Sequence, residues 1–143
     1  MKFIILMLSL FFFSTPSSNA QKETPVTWSF ELKKLSDTEF EIIAKANIKK
    51  EWTIYSQFTE DNGPVPTAFV VDDKEVKFEE KSKSTTEFDP LFEVNVIKFK
   101  EEAIFSYKMK KQNAQSCKGY VTFMTCDGAK CLPPTDVEFE LKL

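Results

Sequence analysis

The residues with the clearest chemical potential in this sequence are its three cysteines, Cys117, Cys126 and Cys131. Cys126 ends an apolar run, and the four turn-forming residues DGAK separate it from Cys131. Facing residues in antiparallel strands lie about 4.5–5.5 Å apart, within the Cα separation that a disulfide needs. The spacing therefore predicts a Cys126–Cys131 disulfide. Cys117 is then left as a lone thiol. It could also take part in the exchange as a third cysteine, or form an intermolecular bridge.

Two roles are open for this disulfide. On the chain-entropy model a loop this short contributes about 2 kcal/mol, less than a bridge between distant strands. Strained short-loop bridges have raised reduction potentials, which slightly favours exchange chemistry. Neither neighbour, Asp127 or Lys130, makes a strongly activated nucleophile, so we expect an electrophilic disulfide that a partner's thiolate attacks, or a dithiol shielded until the partner arrives. A structural disulfide in a non-catalytic β-sandwich binding or adaptor module is the alternative.

The composition excludes several other chemistries. The sequence has no His, and all 19 of its basic residues are Lys. The absence of His removes the usual general base and the commonest metal ligand, and the absence of Arg removes bidentate phosphate clamping. There is no basic stripe, which argues against nucleic acid. We predict no metal site and no cofactor; copper handling through the sulfurs and Met124 is poorly supported without His.

The N-terminus is typical of a secretory signal peptide. Lys2 precedes an apolar run from Phe3 to Phe13, and a polar stretch ends in small residues at Ala20. The run is shorter than the ~20 residues that a transmembrane helix needs. We therefore expect residues 1–20 to be removed and residues 21–143 to form one exported, periplasmic domain, in a compartment that permits disulfides.

Short runs of alternating apolar and polar residues predict strands, and no stretch keeps a helical period. Eight or nine strands at regular spacing indicate an all-β, immunoglobulin-like antiparallel β-sandwich. The polar stretch from Lys81 to Glu87 is predicted to be an exposed loop inside the domain. The predicted strands are Trp28–Leu32, Phe40–Ile48, Trp52–Tyr55, Ala68–Val71, Val76–Phe78, Phe92–Phe99, Ala103–Met109, Gly119–Thr125 and Val137–Leu143.

At three segments the sequence resembles the N-terminal periplasmic domain of the thiol:disulfide interchange protein DsbD, the disulfide bond corrector family. The most specific is YVTFMTC-DGAK-CLPP around the cysteines; TTEFDPLFE, from Thr85, and EWTIYSQ, from Glu51, are weaker alone. The likeness covers roughly Trp28 to Leu143. The cysteine spacer is one residue shorter than in the best-known members.

The resemblance implies an immunoglobulin-like fold and a redox-active pair, Cys126 and Cys131, of which Cys131 meets the partner. It implies that Phe88, with Glu87 beside it, caps the disulfide, and that Tyr55 forms a wall of the site. It also implies an oxidoreductase-type relay to periplasmic thioredoxin-like proteins, including a disulfide isomerase and a cytochrome c maturation factor. Since the sequence ends at Leu143, we expect the membrane-embedded thiol donor to be a separate chain.

Overall fold

Residues of alternating character build the strands. The computed structural model describes residues 24–143, and this range forms strands and turns without a helix. The predicted signal peptide lies outside the described residues. The strands of the described range are β1 (Val26–Lys34), β2 (Glu39–Ile48), β3 (Thr53–Tyr55), β4 (Ala68–Val71), β5 (Lys74–Val76), β6 (Glu79–Glu80), β7 (Thr85–Asp89), β8 (Val94–Phe99), β9 (Glu102–Lys110), β10 (Ser116–Cys126) and β11 (Cys131–Lys142).

The strands form two antiparallel sheets, as predicted for an immunoglobulin-like sandwich. The first sheet has the order β1-β2-β9-β6. In the second sheet, β10 pairs with β11 along one edge. Its other edge pairs with β4 near the start of the strand and with β3 near the end, and β8 and β7 continue outward from β3. Strand β10 is therefore the element on which the second sheet is assembled.

Aromatic rings fill the space between the sheets. Phe105 of the first sheet is fully buried, and its ring centroid lies 5.2 Å from that of Phe69 and 5.5 Å from that of Phe99. Trp28 packs 5.8 Å from Phe105 and 5.5 Å from Phe123. Seven buried Phe residues thus contribute to one continuous core between the two sheets.

Several strand boundaries differ from the prediction. Asp72 and Asp73 both have positive φ, 47° and 63°, and make a two-residue hairpin turn, so β5 starts at once at Lys74 instead of Val76. The segment Lys81–Glu87 is a loop only in its first half, because Thr85 and the following residues pair with β8. The last strand starts at Cys131 instead of Val137, although it contains Pro133 and Pro134.

Replacing Phe105 with Ala is expected to lower the free energy of unfolding by about 3–5 kcal/mol, since it leaves a cavity among buried rings. Leu35→Ala is the matched control, because Leu35 is 40% exposed in the turn between β1 and β2. We expect that control to stay within about 0.5 kcal/mol of the parent. Urea unfolding followed by Trp fluorescence measures both; equal losses would contradict the assigned core.

Candidate functional site

Strand β10 presents two different apolar faces. Successive side chains of a strand point to opposite sides of the sheet. Val121 and Phe123 point into the main core, whereas Met124 and Cys126 belong to a separate small cluster. Cys126 therefore lies on the face of the second sheet that is turned away from the first sheet, here called the outer face.

A β-bulge at the prolines brings Cys131 to the same face. Thr135 and Leu132 are three positions apart in β11, whereas their partners in β10, Phe123 and Thr125, are two positions apart. The extra residue reverses the alternation of β11, so that Leu132 packs on the main core and Cys131 pairs with Cys126. Because β11 lies at the edge of the sheet, the missing N–H groups of Pro133 and Pro134 are tolerated there.

The predicted disulfide between Cys126 and Cys131 is present, with an S–S distance of 2.02 Å and a Cα–Cα distance of 4.1 Å. The two cysteines differ in exposure. Cys126 is 2% exposed, whereas Cys131 is partly exposed. The side chain of Thr53 donates to the carbonyl of Cys126 at 3.3 Å, which fixes the end of β10 against β3. Cys131 is thus the more exposed residue of the bridge.

The turn between the cysteines is shaped by Asp127 and Gly128. The Asp127 carboxylate accepts hydrogen bonds from the backbone N–H groups of Ala129 at 2.9 Å and Lys130 at 2.8 Å. These bonds hold the pKa of the Asp127 carboxyl below its ordinary value. Gly128 has a φ of 89°, which disfavours other residues. The Lys130 ammonium lies 5.7 Å from the Trp52 ring centroid. The two charges beside the cysteines therefore stabilise the turn.

The disulfide belongs to an apolar group on the outer face, here called the outer cluster. Tyr55, Val96 and Cys126 are its buried members. Phe92, Val94, Met124 and Cys131 pack against them. The Phe92 ring meets the Tyr55 ring edge-on, with 6.5 Å between centroids. Tyr55, predicted as a wall of the site, is fully buried beside Cys126 within this cluster.

The outer cluster is roofed by the tip of the β7–β8 hairpin, residues 90–93. Asp89, at the end of β7, is 5% exposed and uses both carboxylate oxygens. One accepts from the Tyr55 hydroxyl at 3.3 Å and the other from the Leu91 N–H at 2.9 Å. The Asp89 carbonyl accepts from the Glu93 N–H at 2.8 Å. Burial, and then the charge of Asp89, raise the pKa of Tyr55, so its hydroxyl stays a donor.

Sequence reasoning missed Asp89 and Phe92, and it selected their neighbours Glu87 and Phe88. Glu87 pairs with Lys98 across the hairpin, which is the main reason that the pKa of the Glu87 carboxyl is lowered. Phe88 is 60% exposed and alternates with Glu87 and Asp89, so it points to the opposite side of the hairpin from the outer cluster. The capping role of Phe88 stays a prediction; the tip ring packed on the cluster is Phe92.

A cavity of about 430 Å³ lies beside Cys126, lined among others by Trp52, Tyr55, Asp89 and Lys98. A larger groove, about 650 Å³, runs past Asp72 and Glu140 near the start of β10 and has no cysteine in its wall. Within residues 24–143, no group of three or more His, Cys, Asp or Glu side chains is arranged to hold a metal ion. Of these two cavities, the smaller one is therefore the one that adjoins the disulfide.

Cys117 lies far from this site in the register of β10. It pairs with Leu141, near the opposite end of the strand from Cys126, and it is fully buried in the main core. Burial, and then the charge of Asp72, raise the pKa of the Cys117 thiol. A buried thiol with a raised pKa is a poor nucleophile, and it behaves as a small apolar side chain.

The fold and this site can be compared with known proteins. No protein-family model and no curated protein matches the sequence. Among solved structures, the N-terminal periplasmic domain of ScsB from Proteus mirabilis superposes with a TM-score of 0.66, at 15% identity over 90% of this chain. The reduced N-terminal domain of Neisseria meningitidis DsbD gives 0.55, at 19% identity over 80% of this chain.

This chain has the fold of a DsbD N-terminal domain. It spans 84% of the Neisseria DsbD domain but only 49% of the ScsB chain, about half its length. The resemblance predicted from the cysteine segment is therefore confirmed for the fold. No helix among residues 24–143 is long and apolar enough to cross a membrane.

Deletion of Pro134 is expected to abolish the disulfide of this DsbD-type fold. Removing one residue cancels the bulge and turns Cys131 toward the main core, away from Cys126. Pro134→Ala is the matched control, because it keeps the residue count. Thiol titration of the unfolded, unreduced protein is expected to find three thiols after the deletion and one, Cys117, in the control. A single thiol in the deletion variant would contradict the role assigned to the bulge.

Proposed function

We propose that this chain is a periplasmic thiol–disulfide exchange domain that relays reducing equivalents through Cys126 and Cys131. The observation that carries the proposal is the position of the disulfide. It lies in a small apolar cluster on the outer face of a DsbD N-terminal-type fold, with Cys131 partly exposed and Cys126 buried.

The pairing of the strands supports a redox role over a staple. Backbone pairing already joins β10 and β11 from Ser116 to Cys126. A disulfide that closes so short a loop adds about 2 kcal/mol on the chain-entropy model. The bulge in β11 turns Cys131 outward, so the local structure places the two sulfurs next to each other on the outer face.

The exchange proceeds in two pairs of displacements, of which the first reduces this domain and the second oxidises it again. A thiolate of a reduced donor attacks Sγ of Cys131, forms a mixed disulfide and expels the Cys126 thiolate, which takes up a proton. The donor's second thiolate then attacks the donor's first sulfur in the mixed disulfide and expels the Cys131 thiolate, so the donor is oxidised and the domain reduced. The Cys131 thiolate next attacks the disulfide of an oxidised acceptor and expels one acceptor thiolate. Cys126 then loses its proton, attacks Sγ of Cys131, expels the second acceptor thiolate and restores the bridge.

The partners follow from this chemistry. We propose a membrane-embedded thiol protein as donor and periplasmic thioredoxin-like proteins as acceptors. The N-terminal sequence, typical of a signal peptide, supports an exported compartment in which disulfides persist. The cavity lining carries no strong net charge that would select the partner, because its basic and acidic residues are equal in number: Lys49, Lys50, Lys98 and Lys100 against Glu51, Asp89, Glu101 and Asp127.

A reduction potential above about −300 mV is expected, because structural disulfides lie below that value. Equilibration with glutathione or dithiothreitol buffers measures it. Cys126→Ser is expected to trap mixed disulfides with periplasmic proteins through Cys131. Cys131→Ser leaves only the buried Cys126 and is expected to trap few; Cys117→Ser is the control and is expected to leave the disulfide unchanged. A potential far below −300 mV would instead support the binding or adaptor module with a structural bridge.

Phe92→Ala is expected to speed reduction of the disulfide by dithiothreitol several-fold, because it removes the tip ring packed on the outer cluster. Phe88→Ala is expected to leave the rate unchanged, because that ring is 60% exposed on the other side of the hairpin. The assignment of the cap to Phe88 predicts the reverse order. Stopped-flow absorbance of the oxidised dithiothreitol product at equal reductant concentration distinguishes the two.

A further inference from the structure

We infer that Tyr55 and Asp89 form a latch that holds the hairpin tip closed over the disulfide. The inference deepens the proposed function, because it names how access to that site is controlled. Asp89 is a carboxylate at 5% exposure in the described range, next to an apolar cluster. A buried charge is tolerated only when its oxygens are hydrogen-bonded, and here each oxygen has a partner.

The two partners of Asp89 belong to different parts of the molecule. The Tyr55 hydroxyl projects from β3, next to the strand that carries Cys126, and is fixed by full burial of its ring. The Leu91 N–H belongs to the hairpin tip itself. Asp89 thus joins the rigid sheet to the tip through one carboxylate, and the Glu93 N–H adds a bond to its carbonyl.

Apart from these hydrogen bonds, the tip is held by apolar packing, including that of Phe92 on the Tyr55 ring. Pro90 has no N–H to donate, and Leu91 is 43% exposed. On the other side Gly63 lies close, since a Cβ there would come within 2.8 Å of Val94 and 3.3 Å of Phe92. That contact is apolar packing between two loops. The directional bond between tip and sheet is the one from Tyr55 to Asp89, and breaking it leaves a buried carboxylate oxygen without a donor, which favours an open, hydrated tip.

Tyr55→Phe tests the latch, since it keeps the ring that packs on Phe92 and removes only the hydroxyl. Reduction by dithiothreitol is expected to become about tenfold faster, a factor that corresponds to about 1.4 kcal/mol. Amide exchange is expected to rise at Leu91 and Glu93, the two backbone donors to Asp89, and to stay unchanged in β2 and β9. Tyr107→Phe is the matched control, because that ring stacks on Phe78 in the main core.

Asp89→Ala is the second variant, in case Tyr55→Phe fails to fold, and it is expected to speed reduction at least as much. A folded variant of either kind that is reduced at the parent rate overturns the latch. So does faster reduction accompanied by faster amide exchange throughout the sheets, because that pattern reports global instability. The probe is a small reductant, so the result does not depend on the proposed protein partners. A low reduction potential would overturn the relay and leave the latch untouched.

Discussion

The geometry of the site depends on the two-residue alternation of β-strands and on its one interruption in β11. Alternation along β10 sends Val121 and Phe123 into the main core and Met124 and Cys126 to the outer face. Without the bulge, Cys131 would share the inward orientation of Val137 and Phe139, and no bridge could form. One additional residue at Pro133–Pro134 therefore determines whether the disulfide exists.

The same alternation explains why the outer cluster needs a roof. The outer face of a sandwich is ordinarily solvated and polar, yet here it carries the Tyr55 ring and Val96. The flat face of the sheet cannot bury these side chains by itself, so the tip of the β7–β8 hairpin folds over them and brings Phe92 with it. Covering the cluster also encloses Cys126, so one apolar contact both stabilises the hairpin and limits access to the sulfur.

Much of this fold follows from the sequence, because the evidence for it is local. Alternation predicts the sandwich, and the spacing of Cys126 and Cys131 with the turn residues between them predicts the bridge. The start of β11 could not be predicted, because two prolines argue against a strand unless its position at an edge is known. The sequence could not decide between Phe88 and Phe92 for a similar reason. The two rings are four residues apart, and which one meets the cluster depends on where β7 ends and the tip begins.

The burial of Asp89 does not follow from its local sequence. An acidic residue before proline in a polar stretch is ordinarily a solvated turn residue. Only the burial of Tyr55, which depends on the pairing of β3 with β10 and β8, supplies the hydroxyl that makes a buried carboxylate tolerable. The stability of the roof is therefore linked to the strand that supports Cys126. A partner that displaced the tip would have to replace the hydrogen bond between Tyr55 and Asp89 or let water take its place. The free energy of binding the tip is therefore coupled to the free energy of exposing the disulfide.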